Sequence, residues 1–164
     1  MLLAGQADIE VPLKRLWAAL LDVNEIAACM PGLDSVRQLD DRTFEGAMAA
    51  QLGPMAGRFT FRATIVETNE PGGSARGREA GSPRGSMRFV LDGVEQTTGS
   101  RMVTSTTLTV SAAAPQTSRL EYVTRVDLDG RLAIVGEMVM RATARLVLRE
   151  FAARLRRRLA VIPG

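Results

Sequence analysis

Two rhythms divide this chain, and the point where one replaces the other limits what it can fold into. From Leu33 to Asp129, short runs alternate apolar and polar residues between turn signals; after Gly130 the alternation stops. Period-two alternation buries one side of each run, as half-buried strands do. Residues 131–160 hold no proline and one glycine, Gly136, and are dense in Ala, Leu, Met and Arg, which predicts one long helix. At 1.5 Å per residue that helix runs about 40 Å, the length of a strand of roughly ten to twelve residues. It can therefore lie along a sheet and cover one face. On a helical wheel Leu132, Val135, Val139, Ala142, Leu146 and Val147 share an arc expected to face the sheet, with Glu137, Arg141 and Arg145 opposite.

Upstream, Leu3 to Val11 alternates as a first strand, and Pro12 opens a short helix with Leu16, Trp17, Leu20 and Leu21 on one face. Asp22 suits the cap of a second short helix ending at Met30-Pro31-Gly32. Strands are then expected at Val36–Leu39, Thr43–Leu52, Arg58–Val66, around Met87-Phe89-Leu91, Met102–Val110 and Leu120–Leu128, with turns at Asp40-Asp41, Gly53-Pro54 and Pro71-Gly72-Gly73. Residues 74–100, rich in Gly, Ser and Arg, are the least legible part. The expected class is α+β in a single domain over 1–164: a curved antiparallel meander gripping a C-terminal helix.

The composition excludes much chemistry. With no histidine and only Cys29, the chain has no Ser-His or Cys-His pair, no His/Cys zinc site and no intrachain disulfide. The expected catalytic set and metal set are both empty. Of 21 basic residues only Lys14 is lysine, and eight of the arginines lie in 131–164 against Glu137 and Glu150. That leaves +6 on the tail and −3 on the rest, with 4% aromatic residues, a poor match to nucleic-acid binding. No basic leader and no 18-residue apolar run is present, which predicts a cytoplasmic protein.

A curved sheet around one helix can leave a pocket on its concave side. The alternating positions expected to line it are Met48, Phe59, Phe61, Met87, Phe89, Met102, Leu108 and Tyr122, with Val135, Met138, Val139 and Ala142 from the helix. Methionine adapts to irregular ligands, and Gly46, Ala50 and Ala63 leave room. The same pattern also describes a closed core, and the Tyr122 hydroxyl can serve a ligand or a backbone carbonyl.

Three motifs carry a resemblance. Trp17-Ala-Ala-Leu-Leu-Asp22 followed by Met30-Pro31-Gly32, then Gly53-Pro54-Met55-Ala56-Gly57-Arg58-Phe59, then Gly130-Arg-Leu-Ala-Ile-Val-Gly136 resemble the carbon monoxide dehydrogenase CoxG family, within the START-like (SRPBCC) helix-grip superfamily. The resemblance spans about residues 2–155. It implies seven antiparallel strands around a long C-terminal helix and a hydrophobic cavity, with turn and packing roles for Trp17, Asp22, Pro31, Gly32, Gly53, Pro54, Phe59, Gly130 and Gly136. It places Pro31, Gly32, Gly53, Pro54 and Met55 at the cavity mouth.

The resemblance further implies a non-enzymatic bacterial accessory protein of a CO dehydrogenase-type molybdenum hydroxylase, acting in assembly, membrane recruitment or electron delivery. No cofactor is expected beyond a bound quinone, lipid or other apolar ligand; a homodimer is one expected state. The competing readings are a polyketide cyclase/dehydratase-like enzyme of the same superfamily and an assembly scaffold with a filled core. Two departures stand out: residues 80–101 look long enough for an extra hairpin, and the sequence stops at Gly164 where relatives extend toward a membrane. Arg154, Arg156, Arg157 and Arg158 are candidates for a weak anionic contact at the inner face of the membrane, worth at most about 4 kcal/mol, or for a solvated helix end.

Overall fold

The computed structural model describes residues 1–72 and 84–160. Seven antiparallel strands form one sheet in the order β1-β7-β6-β5-β4-β3-β2. They are β1 (Leu2–Ile9), β2 (Leu33–Gln38), β3 (Thr43–Leu52), β4 (Met55–Asn69), β5 (Arg84–Glu95), β6 (Arg101–Ala114) and β7 (Thr117–Leu128). Apart from the return of β7 to β1, each strand pairs with its chain neighbour, as hairpin connections dictate. Helices α1 (Leu13–Leu20) and α2 (Val23–Cys29) follow β1, and α3 (Glu137–Ala160) closes the described chain.

Local chemistry sets these boundaries. The Pro12 carbonyl accepts the Leu16 amide at 3.1 Å and starts α1. The Asp22 carboxylate accepts the Asn24 amide at 2.9 Å, the expected cap of α2. Glycine is required at Gly32, where φ is +83° and any Cβ would strike the Ala49 carbonyl. That close approach lets the Gly32 carbonyl accept the Ala49 amide at 2.7 Å and seats the end of α2 on β3.

Three expectations need correcting. The long helix does not begin at 131: Gly130–Ile134 is a 3-10 turn, Val135 is extended, and α3 starts at Glu137. An unbroken helix would turn Val135 about 140° away from Met140, whereas the break lets Leu132, Val135 and Met140 bury together. The buried face of α3 also differs from the expected arc. Met140, Phe151 and Leu155 face inward with Ala144 and Leu148 packed beside them, while Met138 and Leu146 are 85% and 60% exposed and Ala142 is exposed too. Met138 and Ala142 lie two residues either side of Met140, about 200° around the helix, so neither can line a space beneath α3. Finally, Arg84–Glu95 is one strand paired along β4 and β6, and a turn over 96–100 joins it to β6, with no extra hairpin there. The part of that expectation falling on 73–83 lies outside the described residues.

The strands register a single apolar concave face, but its apolar side chains pack as two clusters. One gathers Ile9, Val11, Leu16, Trp17, Leu20, Cys29, Met87, Val110, Leu120, Phe151 and Leu155 under α1, α2 and the end of α3. The other gathers Leu3, Leu52, Phe59, Tyr122, Val126, Leu132, Val135 and Met140 under its start. Among the described residues, only Leu108 and Leu148 touch both.

Candidate functional site: a hollow between two cores

The register of β3–β6 places Phe44 opposite Ala63, Ala63 opposite Leu91, and Leu91 opposite Thr104. In the next row Gly46 faces Phe61, Phe61 faces Gly93, and Gly93 faces Met102. Phe44, Phe61, Ala63 and Leu91 are all partly exposed and belong to neither cluster. The cause is the path of α3, which packs chiefly along β1 and reaches the β2–β5 side mainly at β3. What remains is an apolar hollow floored by four strands and walled at each end by a packed core.

Of the residues singled out from sequence, Phe61 lies on this floor. Met48, Phe59, Met102, Tyr122, Val135 and Val139 join the second cluster; Met87 and Phe89 join the first; Leu108 joins both. Phe44, Ala63, Leu91 and Thr104 were not among the expected lining residues, although the same alternation carries them. Their one distinguishing property is that no helix covers them, which no period reveals.

Tyr122 is not aimed into the hollow. Its ring edge and hydroxyl stand 2.7 and 3.0 Å from where a Cβ on Gly5 would be, so the ring lies over β1. The side chain is 8% exposed and its hydroxyl makes no hydrogen bond among the described residues. Burial pushes its pKa up, with Arg145 opposing weakly, so it stays protonated at neutral pH. Pro31 is partly exposed and Gly32 exposed; Gly53 and Pro54 form the exposed β3–β4 turn, and Met55 packs against the second cluster. The Gly53 turn tucks against α3, with its Cβ position 3.2 Å from Val139. Both turns flank the same end of β3, beside a groove of about 490 Å³ lined by Ala49, Ala50, Gln51, Ala56, Gly57, Arg58, Gln96 and Thr97.

Glu95 is the only carboxylate on the concave face of the described sheet, and it is already engaged. It accepts the Thr97 amide at 3.0 Å and the Thr98 amide and hydroxyl at 2.9 Å each. Those donors, the Thr97 and Thr98 amides first, hold its pKa down at about 2. Thr98 in turn donates to Ser100 at 2.8 Å, and Ser100 accepts the Arg131 amide at 2.9 Å, tying the β5–β6 turn to the approach of α3. Glu121 and Arg125 sit on the opposite face of β7 from Tyr122. Among the described residues, no three His, Cys, Asp or Glu side chains are placed to hold a metal ion. The Cys29 thiol is fully buried, and burial pushes its pKa up.

The basic end of α3 is partly neutralised. Arg158 makes a two-pronged contact with Glu25 at 2.9 and 3.1 Å, and Arg154 bonds Glu150 at 2.9 Å. Arg157 and Arg156 lie 4.0 Å from Glu150 and Glu10. With Ala28, the three arginines 154, 157 and 158 line an open surface groove of about 570 Å³. No described helix is long and apolar enough to cross a membrane.

A curved seven-stranded antiparallel sheet gripping a C-terminal helix, with an apolar hollow on its concave side, defines the START-like helix-grip class. Solved structures agree in fold. A conserved protein from Geobacillus kaustophilus superposes with a TM-score of 0.76 at 11% identity, covering 96% of this chain and 93% of its own. A START superfamily protein from Mycobacterium smegmatis gives 0.66 at 10% identity, covering 96% and 95%. The Zhui aromatase/cyclase from Streptomyces sp. R1128 gives 0.61 at 11% identity, covering 100% and 98%. No curated protein matches the sequence. Within that class, residues 5–160 match the family model of carbon monoxide dehydrogenase CoxG, and the chain belongs to that family.

Proposed function

We propose that this protein is a non-enzymatic binding module that holds an apolar small molecule, such as a quinone-bearing lipid, in the concave hollow. In this reading it serves a molybdenum hydroxylase of the CO dehydrogenase type, in assembly, membrane recruitment or electron delivery. The observation that carries the reading is the floor of Phe44, Phe61, Ala63 and Leu91, apolar, partly exposed and outside both cores. Apolar surface left open costs about 25 cal/mol per Å², which an apolar ligand recovers on binding. Membership in the CoxG family supports the partner.

The aromatase/cyclase neighbours raise an enzymatic alternative. It finds little support in the site: Glu95 is held ionised by its own turn, Tyr122 stays protonated, and Glu121 and Arg125 are on the far face. Native mass spectrometry and thermal-shift assays with menaquinone and ubiquinone analogues test the binding reading. A retained ligand and a raised Tm are expected; absence of binding by any apolar ligand would overturn it.

A further inference from the structure

The middle of the concave face carries hydroxyls where valine would fit as well. Thr106 on β6 and Thr124 on β7 are directly opposite, and their Oγ1 atoms lie 2.7 Å apart. They are 9% and 8% exposed. Across the face they continue a row running Ile65, Phe89, Thr106, Thr124, Leu3. The adjoining row is the hollow floor: Phe44, Ala63, Leu91, Thr104, Val126.

Each threonine hydroxyl owns one proton. The bond between the two uses one of them, whichever oxygen donates. The other proton has no acceptor among the described residues, where neither hydroxyl makes a second hydrogen bond. A buried donor without a partner is costly, and valine offers the same shape and strand preference without that cost. No lysine or arginine shares the concave face of the described sheet, so an anionic ligand group would be buried without a counter-charge.

We propose that Thr106 and Thr124 are the polar subsite of the hollow, donating one hydrogen bond to a neutral acceptor oxygen of the ligand, a ketone or quinone carbonyl. The inference rests on the reading that the hollow binds. The pair then sets specificity: it favours a neutral oxygenated ring or chain over both the pure hydrocarbon and the carboxylate.

The test is calorimetric titration of the purified protein with decylbenzoquinone and with decylbenzene, which shares the tail and ring but lacks acceptors. In the double variant Thr106→Val with Thr124→Val, the quinone's Kd is expected to rise about five- to tenfold, the worth of one hydrogen bond, while that of decylbenzene stays put. Thr106→Ser keeps the hydroxyl and is expected to keep the quinone affinity; with the single Thr124→Val it serves should the double variant not fold. An unchanged quinone Kd, or an equal loss for both probes, overturns the subsite and leaves the binding reading standing. Failure of the unmodified protein to bind either probe overturns the reading on which the subsite depends.

Discussion

Gly130 sits at φ +63° with the Ser100 hydroxyl 2.7 Å from its missing Cβ. Gly130→Ala is therefore expected to cost about 1–2 kcal/mol from the backbone alone, with more from crowding Ser100, and urea titration reads it directly. The methionines at 138 and 140 make a sharper pair. Met140 is 7% exposed and Met138 is 85% exposed. Met140→Ala is expected to lose about 2–4 kcal/mol, while Met138→Gln changes stability by less than about 0.5 kcal/mol. Equal losses would put the face of α3 back where its apolar arc suggested. That arc misled because exposed and buried apolar residues are interleaved along this helix. Counting apolar positions weighs Ile134, Met138 and Leu146 the same as Met140, Phe151 and Leu155, and only the sheet tells them apart.

At the scale of elements, the turn over 95–100 is held by an acidic anchor, which gives it a pH signature. The Glu95 carboxyl has an ordinary value of 4.5 and a folded value of about 2. A depressed carboxyl contributes stability that is fully present above about pH 4.5 and is lost as pH falls through about 2. In Glu95→Gln the acid limb of the stability curve should flatten across that window relative to the unmodified protein, while Tm at pH 7 falls. Parallel curves would mean the carboxylate is not the anchor. Asp8, Glu25 and Asp92 are also lowered by their arginine partners, so the difference between the two proteins is the quantity to read.

Most elements were legible because their signals are local: β3 keeps the expected limits Thr43–Leu52, and Asp22 caps α2. The misplaced start of α3 was not, because residues 131–136 have helical composition. Burying Leu132 and Val135 with Met140 decides their geometry, and that is a long-range demand.

For the whole molecule, the decisive variable is whether the hollow fills. Ala63 faces Phe44 and Leu91 on the floor and is partly exposed, so Ala63→Phe can project into the opening without overpacking a core. This variant is expected to keep its urea midpoint within experimental error and to lose the thermal shift produced by quinone analogues. If it still captures a molybdenum hydroxylase in a pull-down, partner contact does not depend on the ligand. A curved sheet with a gripping helix follows from the alternation and the switch after Gly130. The open stretch of that sheet does not, because it depends on where α3 lies, chiefly along β1.

Two apolar clusters that meet only at Leu108 and Leu148 among the described residues amount to two blocks joined by a narrow neck. Strain in one block reaches the other through those two side chains and the strands themselves. Empty, such a body loosens at one end before the other, and amide exchange would report two opening energies. A guest lodged between the blocks acts as a keystone: it adds the missing lateral contacts and merges the two openings into one. Cargo and scaffold would then share a single melting event, and release of the cargo would restore the molecule's suppleness.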